Sequence, residues 1–163
     1  MKFWALQRVI SVLLLTLAMS QPAPAADLLF GPLQLRATVG SMPSSAAYIE
    51  ISNHGAKSDR LIAVESDLAR KTELHSMTMT DGVMNMRAVD GGIDIPAGAR
   101  IQLAPGGYHV MLIGLNSPLN IDQTYAITLV FQSAGKITVS GLAKRPADLK
   151  KAAPHHSTMP KTH

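Results

Sequence analysis

The chain has 163 residues with a formal net charge of +4, nine methionines, no cysteine and only 4% aromatic residues. That length supports one domain with a real core. Zero cysteine excludes disulfide frameworks, cysteine-based zinc and iron–sulfur sites, cysteine nucleophiles and the thiolate of a blue-copper centre.

The first segment, residues 1–25, reads as a secretory signal peptide. Lys2 and Arg8 make a basic start, Val9 to Met19 is apolar, and Ala23-Pro24-Ala25 supplies small residues for cleavage after Ala25. About eleven apolar residues are too few for the roughly 20 of a spanning helix. No stable membrane insertion is therefore expected, and without a cysteine to carry lipid, no lipoprotein anchor either. An exported chain is expected.

Charge divides with the segments. Lys2 and Arg8 belong to the leader, and Lys144, Arg145, Lys150, Lys151 and Lys161 face only Asp148 in the C-terminal stretch. The body between them is mildly acidic and poor in aromatics, so it offers neither a phosphate-tracking patch nor stacking platforms, and nucleic acid is not an expected partner.

The body, residues 26–142, reads as strands: Leu33–Val39, Ala46–Asn53, Arg60–Glu65, Thr72–Met77, Val83–Val89, Arg100–Leu103, Tyr108–Leu115, Thr124–Gln132 and Lys136–Gly141. Turn formers separate them, among them Asp81-Gly82, which suits a tight hairpin. Nine short strands at this spacing predict an all-β fold, an antiparallel β-sandwich whose two sheets share one core. From Ala143 to His163 prolines and basic residues leave no apolar face, which predicts a flexible tail.

Within the body, His75-Ser76-Met77, Met84-Asn85-Met86 and His109-Val110-Met111 are each i, i+2 pairs on a predicted strand. Alternation sends both members of each pair to the same face. A methionine on a strand is ordinarily core filler, and a lone histidine is ordinarily a satisfied or exposed one. Here, however, Met77, Met79, Met84, Met86 and Met111 crowd one stretch, interleaved with His75 and His109. Imidazole with thioether, and no thiolate, favours Cu(I) over Zn(II), Mg(II) and Ca(II), and favours carriage or storage over redox turnover.

The body also resembles a known family. Ala47-Tyr48, Asn53, Asp59-Arg60-Leu61, Glu73-Leu74-His75, Gly82-Val83-Met84-Asn85-Met86-Arg87, Ile95-Pro96-Ala97-Gly98 and Pro105-Gly106-Gly107-Tyr108-His109-Val110-Met111-Leu112 are similar to the periplasmic copper chaperones called PCu(A)C. That family is marked by a histidine, ten residues, a methionine, a spacer of about twenty-one, then His-x-Met. Ten residues separate His75 from Met86, and twenty-two separate Met86 from His109. The extra residue is assigned to a glycine of the Asp90-Gly91-Gly92 turn.

The resemblance implies a cupredoxin-like, Greek-key β-sandwich holding Cu(I) through His75, Met86, His109 and Met111, with Met84 and Met77 in reserve. It implies delivery of copper to the copper-A centre in subunit II of cytochrome c oxidase, directly or through a Sco-type partner. It also implies a second, Cu(II)-capturing site in the tail at His155, His156, Met159 and His163.

Copper storage or tolerance, and a metal-free interaction sandwich, are the competing readings. Copper enzymes generally gather three or more histidines, and the body offers His54, His75 and His109, with His54 in a separate turn. No nucleophilic triad, paired-carboxylate signature or phosphate loop is present, so the chain is not expected to be an enzyme.

Overall fold

The computed structural model describes residues 27–149. The expected leader, and the tail histidines and Met159, lie outside them. Within the described residues there are eleven strands and no α-helix: β1 (Leu28–Phe30), β2 (Leu33–Arg36), β3 (Ser44–Asn53), β4 (Asp59–Glu65), β5 (Ala69–Thr80), β6 (Val83–Ala88), β7 (Ile93–Ile95), β8 (Arg100–Leu103), β9 (His109–Leu115), β10 (Thr124–Phe131) and β11 (Gly135–Lys144). All nine expected strands are present. The two that sequence reading missed, β1 and β7, are three residues long, too short for alternation to register.

The strands run in the order β6-β5-β9-β3-β2-β11-β10-β4-β7, with β1 and β8 also paired to β3. The ten residues of β3 serve both halves of the fold. Ser44–Tyr48 pair with β9 and β2, while Ile49–Asn53 pair with β8 and β1. The expected pair of separate sheets is thus one connected sheet folded over a common core in the cupredoxin-like sandwich. Alternation explains the core: Leu33 and Leu35, Ala47, Ile49 and Ile51, Val110 and Leu112, and Ile127, Leu129 and Phe131 each occupy every second position and bury together.

The structure corrects two expectations. Pairing is not wholly antiparallel, because β11 runs parallel to β2, Gly141 to Lys144 facing Leu33 to Arg36. That pairing requires glycine at position 141, where a Cβ would stand 1.9 Å from the Leu33 carbonyl oxygen. The last strand also runs beyond the expected Lys136–Gly141, to Lys144. Ala143 is fully buried, its N–H donates to Gln123 O and its carbonyl accepts from Asp122 N. A 3₁₀ turn at Pro146–Asp148 follows, and Leu149 is buried. The sequence ends β11 early because its parallel partner β2 lies far away in the chain and leaves no local signal.

Two loops are tied down by polar side chains. Asn53, buried on β3, donates through Nδ2 to Lys57 O and Ile95 O and accepts from Gly55 N–H, so all its bonding is internal. Asp59 accepts from the backbone N–H groups of Arg60, Ser133 and Ala134, clamping the β10–β11 turn onto β4.

Candidate metal centre

Strand β9 carries Val110 and Leu112 into the core, so His109 and Met111 point to the opposite face. Register then decides what stands beside them. His75 on β5 lies directly opposite His109, and Ala46 on β3 opposite Met111. Beyond His75 the β9 pairing ends, and β5 continues as a hairpin with β6 that sets Met77 opposite Met86 and Met79 opposite Met84. A two-residue turn closes it, with Asp81 at φ 52° and Gly82 at φ 78°, the two positive values that a type I′ hairpin demands. The three His/Met pairs expected to share one face do so.

These side chains surround a cavity of about 260 Å³, lined by Met77, Met84, Met86, His109 and Met111 together with Arg36, Ala46, Tyr48 and the Pro105-Gly106 turn. The His75 ring lies beside it, 5.8 Å from that of His109 between centroids. Tyr48 covers His109 from the other side at 6.4 Å. His109 is 3% exposed, whereas Met84 and Met86 are 57% and 46% exposed. One wall of the site is therefore buried protein, and the hairpin wall is open to solvent.

Each imidazole has one nitrogen committed and the other available. His109 Nδ1 lies 3.1 Å from Gly107 O; a carbonyl only accepts, so Nδ1 carries the proton and Nε2 keeps its lone pair. The same carbonyl accepts the Met77 backbone N–H at 3.1 Å, so one turn fixes both the histidine and the base of the hairpin. His75 Nε2 lies 3.0 Å from the Glu73 carboxylate, which again only accepts. The lone pair of His75 is then on Nδ1, which is buried and has no hydrogen-bond partner among the described residues. A buried nitrogen without a hydrogen bond is costly unless something else occupies it.

Electrostatics favour a neutral His109. Burial is the main cause that holds the His109 pKa below its ordinary value, and the charges of His75 and Arg36 act in the same direction against the Gly107 hydrogen bond. Glu73 is kept ionised, first by its hydrogen bond from Lys71 and then by that from His75, which lower its carboxyl pKa. Among the described residues Arg36 makes no salt bridge, and its Nε is buried without a hydrogen-bond partner. Burial raises the Tyr48 pKa, partly offset by Arg36.

Among the described residues no group of three or more His, Asp or Glu could hold a metal. A metal at this cavity would therefore need thioether ligands, the preference of a soft ion. Of the residues singled out from sequence, His75, Met77, Met84, Met86, His109 and Met111 are brought together, whereas His54 stands apart in the turn that Asn53 anchors. Sequence reading missed Glu73, Tyr48, Arg36 and the Gly107 carbonyl as parts of the site. Only the i, i+2 spacing of Glu73 to His75 carried a signal.

The family model described as "Putative lipoprotein LpqE-like" matches residues 31–142. Among curated proteins, "Putative lipoprotein Lxx21020" of Leifsonia xyli is 33% identical over 96 residues, 59% of this chain and 58% of that protein. "Uncharacterized protein RP573" of Rickettsia prowazekii is 30% identical over 92 residues, 56% and 51% of the two chains. The chain thus spans only half to three-fifths of the length of these relatives. Among solved structures, the copper-bound PCuAC domain from PmoF2 superposes with a TM-score of 0.64 at 25% identity, covering 75% of this chain and 96% of that one. The solution structure of Cu(I)-bound DR1885 from Deinococcus radiodurans gives 0.56 at 28% identity, with 79% and 84% covered.

Proposed function

The chain belongs to the LpqE-like family and has the PCuAC fold, and from that membership we propose that it is an exported copper chaperone, a carrier without turnover, that holds Cu(I) through His75, Met86, His109 and Met111. Two relatives of the same fold have copper-loaded structures. The observation that carries the reading to these residues is the buried, unpartnered Nδ1 of His75, beside the His109 ring and a cavity lined by thioethers.

Two neutral imidazoles and two thioethers add no charge, so the loaded site keeps the single positive charge of Cu(I). Such ligands hold Cu(I) less tenaciously than thiolates, which sets the direction of transfer toward a cysteine-bearing acceptor. Tyr48 and the β9 wall exclude water on one side, while the open hairpin side admits the incoming ligand of an acceptor. Glu73 and Gly107 hold the rings in the tautomers that present Nδ1 of His75 and Nε2 of His109, the role that hydrogen-bonded neighbours of metal ligands commonly play. The acceptor we propose is the copper-A centre in subunit II of cytochrome c oxidase, reached directly or through a Sco-type protein, in the periplasm. The signal peptide at residues 1–25 would provide export. The tail residues His155, His156, Met159 and His163 would provide a separate site for Cu(II).

Anaerobic titration with Cu(I) against a competing chelator tests the reading. One tightly bound equivalent is expected, lost in His75→Ala and in Met111→Ala. Binding unchanged in both variants overturns it. Copper K-edge absorption of the loaded protein should count both nitrogen and sulfur donors, and transfer to a purified copper-A domain should generate that centre's visible absorption.

A further inference from the structure

The hairpin beyond His75 contributes nothing to the core, yet one of its faces is uniformly thioether. On β5 the positions after His75 on the site face are Met77 and Met79; on β6 they are Met84 and Met86. The opposite face carries Ser76, Thr78, Thr80, Val83, Asn85 and Arg87, mostly polar. The inner pair, Met77 and Met86, lies at the cavity together with Met84. The outer pair, Met79 and Met84, sits beside the Asp81-Gly82 turn with exposures of 69% and 57%. Core packing cannot account for Met79, because no core lies against it.

Directly opposed residues on antiparallel strands have Cβ atoms about 4.5–5.5 Å apart, close enough for two flexible side chains to converge on one ion. Two thioethers are a donor set for a soft monovalent cation and a poor one for Zn(II) or Ca(II). We propose that Met79 and Met84 form a second, outer Cu(I) site at the hairpin tip, from which the ion passes to the histidine-containing site by exchanging one thioether for the next. Met84, which faces both the outer partner and the cavity, is the shared step. Copper remains Cu(I) throughout, the ligands are neutral, and no proton or electron is transferred. This inference rests on the proposed function of the inner site and adds its route of entry.

Methyl-labelled methionine NMR of the full chain, titrated anaerobically with Cu(I), separates the two claims. The first equivalent should move the Met86 and Met111 methyls; if it does not, the inner site itself fails. The second equivalent should move Met79 and Met84 in rapid exchange. In Met79→Leu, which keeps the apolar surface and removes the sulfur, the first equivalent should bind with wild-type affinity. The second-equivalent shift of Met84 should be lost, and stopped-flow loading of the inner site should slow. The outer site is overturned if the second equivalent moves only Met159. It is equally overturned if Met79→Leu leaves both the Met84 shift and the loading rate at wild-type values.

Discussion

At the scale of single residues, the site depends on which nitrogen of each imidazole bears the proton. Glu73 sets this for His75 across 3.0 Å, held in place by Lys71 at 2.7 Å. Glu73→Ala should free the tautomer and weaken Cu(I) binding by about 10–100-fold, less than loss of the ring itself. Nitrogen-15 shifts of the apo protein should show His75 protonated at Nε2 in the wild type and mixed in the variant. Glu73→Gln, whose amide oxygen can still accept, should recover part of the affinity. For His109 the consequence appears in pH. Its folded-state pKa is depressed below the ordinary 6.5, so on acidification the unfolded chain takes up the proton first. The stability that neutral His109 contributes is therefore complete above 6.5 and declines as pH falls through 6.5 toward the folded value. Urea melts of the apo protein should lose stability across that window, and His109→Gln should flatten the loss. The ligand candidates themselves were legible in sequence because period-two alternation is a local property. Tyr48 and Arg36 were not, since β3 and β2 reach the site only through a register that distant pairings establish.

At the scale of elements, the same contrast holds. The hairpin at Asp81-Gly82 was readable because its turn chemistry lies within two residues, and β10 was readable because its residues alternate, with Ile127, Leu129 and Phe131 facing the core. The extension of β11 to Lys144 was not, because its stabilising partner is β2, more than a hundred residues earlier. Gly141→Ala tests that pairing. The new methyl would meet Leu33 O at 1.9 Å, so the strands must part, at a cost of about 1–3 kcal/mol. The denaturation midpoint should fall, and hydrogen exchange at Ala143, whose N–H is bonded to Gln123, should accelerate. The Gly91-Gly92 turn separates two kinds of glycine. A Cβ at Gly91 meets nothing, while at Gly92 it meets Leu61 O at 2.4 Å. At both positions the positive φ favours glycine, but only at Gly92 does the neighbouring backbone also exclude a side chain.

For the molecule as a whole, metal and fold are linked because the site exists only when β5, β6 and β9 are assembled. The unfolded chain offers its histidines and methionines singly. Cu(I) binding should therefore stabilise the folded state by mass action, by about 4 kcal/mol when free ligand exceeds Kd a thousand-fold, and the melting temperature should rise by several degrees. A β-sandwich whose methionines merely pack would melt at the same temperature with and without Cu(I). The all-β class was legible from the density of turn formers. The continuity of the sheet was not, since it depends on β3 pairing with four other strands.

Along β9 the chain alternates between two faces: Val110 and Leu112 are fully buried in the core, while His109 and Met111 face the cavity. Core packing thus rests mainly on one set of positions, and the ligand chemistry proposed above on the set between them. Exchange of a thioether for another donor at position 111 or 86 would alter what the domain carries without touching what makes it fold. That independence makes the scaffold retunable, a sheet on which metal preference can drift by single substitutions while the architecture beneath stays constant.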